Sequence, residues 1–175
     1  DEVDDVIRDV DRTNEEVERE NRRVIEEVRK SNEEVNKKNA DAEKRSREMA
    51  ERAAEDRDRR KIEEILERLK DLHKRTIETT REVLKRNEDL MRRTIEDTRR
   101  VLRENEEKLR DVLRRVPNVK EKLDRVLERS KKTVEELEKR NREALDRSRR
   151  NVEEVEKRNR EVVKEIAERV RRLKK

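Results

Sequence analysis

The sequence predicts an all-α fold, an up-down-up bundle of three long, nearly straight antiparallel helices. Two observations predict it: the chain repeats every 18 residues, and almost all of its 175 residues are good helix formers. The clearest repeat joins residues 76–93 (TIETTREVLKRNEDLMRR) to residues 94–111 (TIEDTRRVLRENEEKLRD). Eighteen residues make five turns of an undistorted α-helix, so each side chain returns to its own azimuth. The helices are therefore expected to run without the supercoil that a heptad pattern imposes.

The composition favours helix over disorder. Charged residues make up 59% of the chain, which also has one proline and no glycine, cysteine or aromatic residue. Disordered chains of similar charge are rich in Pro, Ser and Gly, whereas this one is rich in residues of high helix propensity. No stretch approaches the ~20 apolar residues of a membrane span, and no targeting signal is evident. The sequence predicts a soluble chain and leaves its localisation unknown.

Two breaks divide the chain into three helices. Pro117 cannot continue a helix, and Asn118 followed by Glu121 has the spacing of a capping box, so a helix is expected to start near Val119. The other break, between about residues 56 and 60, is inferred because the apolar positions rotate to a new azimuth there. We expect a single elongated domain over residues 1–175, with helices at about 1–57, 60–115 and 119–175. The turns are expected near 58–59 and 116–118.

Each helix carries one narrow apolar stripe. On the second helix the stripe includes the neighbouring pairs Val83 and Leu84, and Val101 and Leu102. One inward-facing stripe per helix is what a bundle requires. The sequence contains no second stripe, so no large apolar surface is left over for a partner.

Polar residues interrupt these stripes at their centres. If the first turn folds the chain back on itself, level residues have numbers with a constant sum, and 119 relates Asn14 to Asn105 and Asn21 to Thr98. Across the second turn the sum is 235, which places Ser130 level with Asn105. We predict a core polar network formed by Asn14, Asn21, Asn32, Asn39, Ser46, His73, Thr76, Thr80, Asn87, Thr94, Thr98, Asn105, Ser130, Asn141, Ser148 and Asn159.

The predicted network has layers that reach across the helices. Two of them span all three helices, and the other expected pairs join two helices each. The three-helix layers are Asn14/Asn105/Ser130 and Asn32/Asn87/Ser148, and the pairs are Asn21/Thr98, Asn39/Thr80, Ser46/His73, Thr94/Asn141 and Thr76/Asn159.

Such layers would discriminate between helix registers. A buried amide without a partner costs about 1–3 kcal/mol, so a slipped register would leave several amides unsatisfied, whereas Val and Leu alone would tolerate slippage. The alternative is that these side chains lie at the solvated margin of a thin core. Their position at the centre of the stripe favours the layers.

The residues of enzyme active sites are missing or exposed. The many carboxylates are expected on solvated faces, where they have no water-excluding pocket for acid-base catalysis. His73 is the only histidine and there is no cysteine, so a metal centre built on these ligands has too few of them. We expect His73 to be a hydrogen-bonded core residue rather than a pH switch. Without glycine there is no phosphate-binding loop. We therefore expect no enzyme activity, no cofactor and no metal.

The charge distribution argues against specific nucleic-acid binding. The net charge is +5, with basic runs at 59–61 and near the end of the chain, but 49 acidic residues share the surface. No aromatic side chain is available to stack on a base. Weak, salt-sensitive adhesion is the most that this surface predicts.

Taken together, these features resemble those of de novo designed helical bundles with buried hydrogen-bond networks. The resemblance rests on the 18-residue repeats, the absence of glycine even in turns, the Arg/Glu-rich surface, and the Asn/Ser/Thr layers within Val/Leu stripes. It covers the whole chain. It implies either a single-chain scaffold or a component that pairs with a designed partner.

Two functions follow from these expectations. The first is a structural scaffold that requires no partner. The second is an interaction module or homo-oligomer component, in which a further helix from a partner or a second copy packs against the bundle. Small side chains at Ala42, Ala50, Ala53 and Ala54 suggest space for such a helix. Bulky residues opposite, from Ile62 to Leu72, would instead fill that space, and we favour this interpretation.

Overall fold

Three helices account for nearly all of the structure, a computed structural model that describes residues 1–56 and 59–173. The helices are α1 (Glu2–Asp56), α2 (Arg59–Arg115) and α3 (Lys120–Leu173), with a short 3₁₀ helix (Pro117–Val119) between α2 and α3. The described residues contain no strand. The prediction of an all-α, three-helix bundle is confirmed.

The α2–α3 connection differs in detail from the expected capping box. Pro117 opens the 3₁₀ helix, and Lys120, at φ −53° and ψ −48°, continues from it directly into α3. Asn118 is therefore already inside the helical run, one residue after the proline, and cannot serve as the residue that precedes a helix. The capping box of Asn118 and Glu121 does not form. The start of α1 does have a side-chain cap, since the Asp1 carboxylate accepts a hydrogen bond from the Val3 amide at 3.1 Å.

The predicted turn near 58–59 falls partly outside the described residues. Helix α1 ends at Asp56 and α2 begins at Arg59, and residues 57 and 58 lie between them. Residues 174 and 175, in the last predicted helix, also lie outside the described part.

The chain divides into two compact units, each built from a segment of all three helices. Unit 1 comprises Asp1–Val28 and Asn87–Asp146, and unit 2 comprises Arg29–Arg86 and Arg147–Lys175. In both units, contacts between α1 and α2 join residues whose numbers rise on one helix and fall on the other, so these helices are antiparallel. That the two units behave as one domain remains a prediction.

The core of unit 1 has two apolar clusters. One contains Val10 and Leu109 near the α2–α3 connection, and the other packs Val28, Met91 and Ala144 together. Val10 and Met91 are fully buried. Burying one such side chain stabilises the fold by about 1.5–3 kcal/mol.

The core of unit 2 closes over the alanines of α1. Ala50 and Ala53 are fully buried in a cluster with Ile62, Leu69 and Ile166. The larger side chains of α2 and α3 therefore occupy the space that the small residues leave, as the favoured interpretation expected. No groove for a further helix opens at Ala50 and Ala53.

The centre of the α2 stripe is polar. Val83, Leu84, Val101 and Leu102 are only half-buried. Adjacent residues on a helix point about 100° apart, so the two members of each pair flank the inward direction rather than lie on it. The inward positions between them belong to residues of the predicted polar network.

Candidate polar network

The sixteen predicted network residues all lie away from bulk solvent. Twelve are buried, and Asn14, Asn32, Asn39 and Thr76 are half-buried. Every buried polar side chain among the described residues belongs to this set. Buried polar groups need hydrogen-bond partners, so the partners decide what these residues do.

In unit 1, one layer links the three helices through Asn21, Thr98 and Asn141. Asn141 Nδ2 donates to Asn21 Oδ1 at 2.6 Å, and Asn21 Nδ2 donates to Thr98 Oγ1 at 3.1 Å. The Thr98 hydroxyl in turn donates to the Thr94 carbonyl at 2.8 Å. Each donor therefore points at the next acceptor, in a chain from α3 through α1 to α2.

Unit 2 repeats this layer 18 residues along each helix. Asn159 Nδ2 donates to Asn39 Oδ1 at 2.9 Å, and Asn39 Nδ2 lies 3.5 Å from Thr80 Oγ1. The Thr80 hydroxyl donates to the Thr76 carbonyl at 2.8 Å. The same residue types make the same contacts in the same order, so the sequence repeat is also a repeat of hydrogen bonding.

A second kind of layer lies in unit 1 at Asn14, Asn105 and Ser130. Asn105 Nδ2 and Ser130 Oγ both donate to Asn14 Oδ1 at 3.1 Å. Sequence reasoning missed Thr13, whose hydroxyl lies 3.0 Å from Asn105 Oδ1 and 2.9 Å from the Val10 carbonyl, two acceptors for its one proton. Thr13 is half-buried in the structure, and the only sequence signal for it was its position next to Asn14.

One repeat along from this layer are Asn32, Asn87 and Ser148, which are divided between the two units. In unit 2, Ser148 Oγ donates to Asn32 Oδ1 at 3.1 Å, as Ser130 does to Asn14. Asn87 is buried in unit 1. The α1–α3 contact of this layer type therefore occurs in each unit.

Two expected pairs are not hydrogen-bonded to each other. The hydroxyls of Thr94 and Thr76 donate to the carbonyls of Leu90 and Leu72, four residues earlier in α2. Their expected partners, the asparagines of α3, bond to asparagines of α1 instead. A threonine hydroxyl has one proton, which a carbonyl of its own helix can accept. The amide groups of Asn21 and Asn39 have two, and each donates both to a carbonyl of α1 and to a threonine of α2.

Ser46 and His73 form a buried contact in unit 2. The Ser46 hydroxyl donates to the Ala42 carbonyl at 2.8 Å and lies 3.2 Å from His73 Nε2. Because the serine proton is used on α1, His73 donates from Nε2, and in the neutral ring Nδ1 is then unprotonated. That Nδ1 is buried without a partner. Burial lowers the pKa of His73 below its ordinary 6.5.

The Ser46–His73 pair replaces apolar residues of the other repeats. One repeat earlier on α1, Ser46 corresponds to Val28, and one repeat later on α2, His73 corresponds to Met91. Val28 and Met91 pack in an apolar cluster of unit 1. The polar pair is therefore a local departure from the repeat.

We expect acid to destabilise the protein through His73 in a defined window. The unfolded histidine takes up its proton near pH 6.5, whereas the folded one resists protonation, so the free energy of unfolding falls as the pH drops below about 6.5. Carboxylates such as Glu43 and Asp9 have pKa values below their ordinary 4.5 and 3.8, so they take up protons only at lower pH. Urea unfolding from pH 7.5 to 5 measures the effect. His73→Met should flatten the curve in that window, and an equal slope in both proteins would contradict it.

Restoring the apolar pair should stabilise the fold. We expect Ser46→Val with His73→Met to raise the free energy of unfolding by about 1–2 kcal/mol, because it removes a buried acceptor without a partner and adds apolar burial. Unit 1 already contains this pair in Val28 and Met91, packed with Ala144 where unit 2 has the larger Val162. Urea unfolding at pH 7.5 gives the change. A loss of stability would show that the histidine contact is worth more than its apolar equivalent.

Ion pairs between helices also follow the repeat. Arg99 Nε lies 2.7 Å from Glu138 in unit 1, and Arg81 Nε lies 2.8 Å from Glu156 in unit 2. These carboxylates raise the pKa of both guanidinium groups above its usual value. The arginines are exposed, so such pairs supply little stability.

The described residues offer little for catalysis or metal binding. They contain no cluster of three or more His, Cys, Asp or Glu side chains placed to hold a metal ion. None of the described helices has an apolar stretch that could cross a lipid bilayer. The chemistry of the network is hydrogen bonding between neutral groups.

Comparison with known proteins gives a match only among solved structures. No protein-family model and no curated protein matches the chain. One matching solved structure is described as a computationally designed three helix bundle. It has 21% sequence identity and a TM-score of 0.45, over 99% of this chain and 86% of that chain.

Proposed function

We propose that this chain is a designed structural scaffold without catalytic activity, in which buried polar layers specify helix pairing and register. One observation carries the proposal: the arrangement Asn141–Asn21–Thr98 of unit 1 recurs as Asn159–Asn39–Thr80 in unit 2. Its atoms bond only to other groups of the same unit. A network of this kind organises the chain itself.

The spacing of the layers supports a role in register. On α1 the layer asparagines are separated by 7, then 11, then 7 residues. After a slip of α1 by 7 residues, only some of its layer asparagines lie level with the layer residues of the other helices. After a slip of one turn, none of them do. Only a slip of 18 residues, about 27 Å, would realign the layers, and it would unpack a large part of the core.

The energy of a slipped register supports the same role. Each buried amide or hydroxyl that loses its partner costs about 1–3 kcal/mol, and one slip affects several layers. A satisfied layer adds little net stability compared with an apolar one. The layers therefore act mainly by raising the energy of the wrong arrangements.

A size measurement tests the scaffold proposal against the interaction module. We expect light scattering on a sizing column to give the mass of one chain, 21.5 kDa, at all concentrations. A scaffold requires no partner to fill its core, and Ala50 and Ala53 are already covered. A concentration-dependent dimer would overturn the scaffold in favour of a module that packs a second copy.

The register proposal is tested by removing the polar layers of both units, because each helix is continuous and the layers left in one unit would still hold its register. The variant carries Asn14→Leu, Asn21→Leu, Asn32→Leu, Asn39→Leu, Ser46→Val, His73→Met, Thr80→Val, Asn87→Leu, Thr98→Val, Asn105→Leu, Ser130→Val, Asn141→Leu, Ser148→Val and Asn159→Leu. We expect its helicity by circular dichroism to match that of the parent, and its ¹H–¹⁵N spectrum to show more than one set of amide signals. A single sharp set would mean that apolar packing and ion pairs suffice to fix the register.

A further inference from the structure

Unit 2 has a groove between α2 and α3 that no layer or core cluster fills. Its volume is about 400 Å³, and its apolar part is formed by Ile77, Val163 and Ala167, which are all half-buried. Pockets for small organic ligands usually measure about 300–1,000 Å³. The groove is therefore large enough for a small molecule and too small for a helix of another chain.

The groove exists because two side chains of α3 are smaller than their counterparts. Val163 corresponds to Leu145 one repeat earlier, and Ala167 corresponds to Arg149. A leucine fills more of the space between helices, and the aliphatic stem of an arginine covers apolar surface beside it. The third repeat of α3 thus has smaller side chains at these two positions than the second repeat.

The rim of the groove is basic where the other repeats are acidic. Three lysine or arginine residues line it at positions that carry Asp or Glu in both other repeats of the same helix. Lys70 corresponds to Glu88 and Glu106 of the other repeats, Lys164 corresponds to Glu128 and Asp146, and Arg171 corresponds to Glu135 and Glu153. Arg160 adds a fourth cation, and Glu168 is the one acidic residue of the lining.

Three of the four cations have no ion-pair partner. The exposed side chains of Arg160, Lys164 and Arg171 form no ion pair with another described residue, whereas Lys70 is paired with Glu67 at 3.6 Å. The charge of the three unpaired cations therefore faces the groove and the solvent without a fixed counterion.

A groove in unit 1 provides a contrast. It lies beside Ile7 and is also lined by cations, but Lys122 pairs with Asp4 at 3.1 Å and Arg129 with Asp11 at 3.4 Å. Those carboxylates occupy the place that an external anion would take. In the groove of unit 2, Arg160, Lys164 and Arg171 have no such partner among the described residues.

We propose that the unit 2 groove binds a small anionic amphiphile, a free organic molecule with an apolar body and a sulfonate, sulfate or carboxylate head. The body lies against Ile77, Val163 and Ala167, where it removes half-exposed apolar surface from water. The head lies among Lys70, Lys164 and Arg171, which supply charge-assisted hydrogen bonds.

The test uses two dyes that share an apolar body. The anionic probe is 8-anilino-1-naphthalenesulfonate, and the neutral one is N-phenyl-1-naphthylamine, which lacks the sulfonate. In fluorescence titrations at low salt we expect saturable binding of the anionic dye at one site per chain, with at least about tenfold weaker binding of the neutral dye. Raising the salt should weaken only the anionic dye.

Variants that restore the acidic residues of the other repeats test whether the dye binds in the groove. Lys164→Asp with Arg171→Glu should weaken binding of the anionic dye about tenfold or more, because it replaces attraction with repulsion. Lys37→Glu with Lys44→Glu is the matched control, since it makes the same change in net charge at exposed positions of unit 2 on α1, which does not line the groove. The control should reduce affinity less than twofold.

A second variant separates the shape of the groove from its charge. Val163→Leu with Ala167→Arg installs the residues of the preceding repeat, which fill the groove while adding a positive charge. We expect it to abolish saturable binding, and circular dichroism verifies that each variant keeps its helices. Three results would each overturn the proposal: the parent shows no binding of the anionic dye, it binds both dyes equally, or the groove variants bind the anionic dye as well as the parent does.

Discussion

Replacing Asn21 alone with leucine is expected to lower the free energy of unfolding by about 1–3 kcal/mol. The substitution removes the acceptor of Asn141 Nδ2 and the donor to Thr98 Oγ1 while both partners stay buried. A buried donor without an acceptor loses its hydration and gains nothing in exchange. Urea unfolding followed by circular dichroism measures the change.

Two controls separate this effect from a general cost of leucine on α1. Asn36→Leu changes an exposed asparagine of the same helix, so the free energy should change by no more than about 0.5 kcal/mol. Replacing the whole layer, with Asn21→Leu, Thr98→Val and Asn141→Leu together, should recover most of the loss because no polar group is left unpaired. If the triple variant lost as much as the sum of its single changes, the three residues would not act as one layer.

The largest loss is expected from Leu69→Ala, at about 2–5 kcal/mol. Leu69 is 2% exposed and packs in the cluster with Ala50, Ala53 and Ile166. The small alanines opposite cannot extend into the space that the leucine leaves, so a cavity remains. Only 27% of the residues are hydrophobic, which makes each buried leucine a large share of the core.

Leu66→Ala is the matched comparison for this change. Leu66 packs against the same cluster from a half-buried position, and its removal should cost clearly less than that of Leu69. Chemical unfolding of both variants gives the two values. Equal losses of stability would mean that the buried and half-buried positions of this cluster do not differ in packing as they do in the structure.

The fold could be predicted because its determinants are local or periodic. Pro117 ends a helix by its own covalent structure, and the rotation of the apolar stripe before Ile62 indicates a second break without any turn residue. The capping box at Asn118 was wrong, because the backbone that follows Pro117 enters a 3₁₀ helix directly. Spacing alone cannot distinguish these two ways of starting a helix.

The polar contacts could be predicted between neighbouring antiparallel helices and less well between α1 and α3. A short turn fixes which residues of two helices are level, which is why Ser46 was paired with His73 and Asn21 with Thr98. No turn joins α1 to α3. The contacts of Asn141 with Asn21 and of Asn159 with Asn39 depend on how the third helix packs, and that information is not local in sequence.

The groove of unit 2 could not be predicted from patterning. Val163 and Ala167 fit the apolar stripe as well as larger residues do, and only their packing against α2 shows that space remains. The charge inversions at Lys164 and Arg171 were visible in the repeat. Their meaning depends on the cavity that they border.

The central claim, that the polar layers fix the helix register, is tested most directly by one distance. Spin labels at Arg8 on α1 and Lys139 on α3, both exposed in unit 1, are separated by about 20 Å along the helix axis. A slip of one turn changes that component by about 5.4 Å, which pulsed electron resonance resolves. The account predicts one narrow distance distribution in the parent and several distances once the polar layers of both units are made apolar. One unchanged narrow distribution in that variant would contradict it.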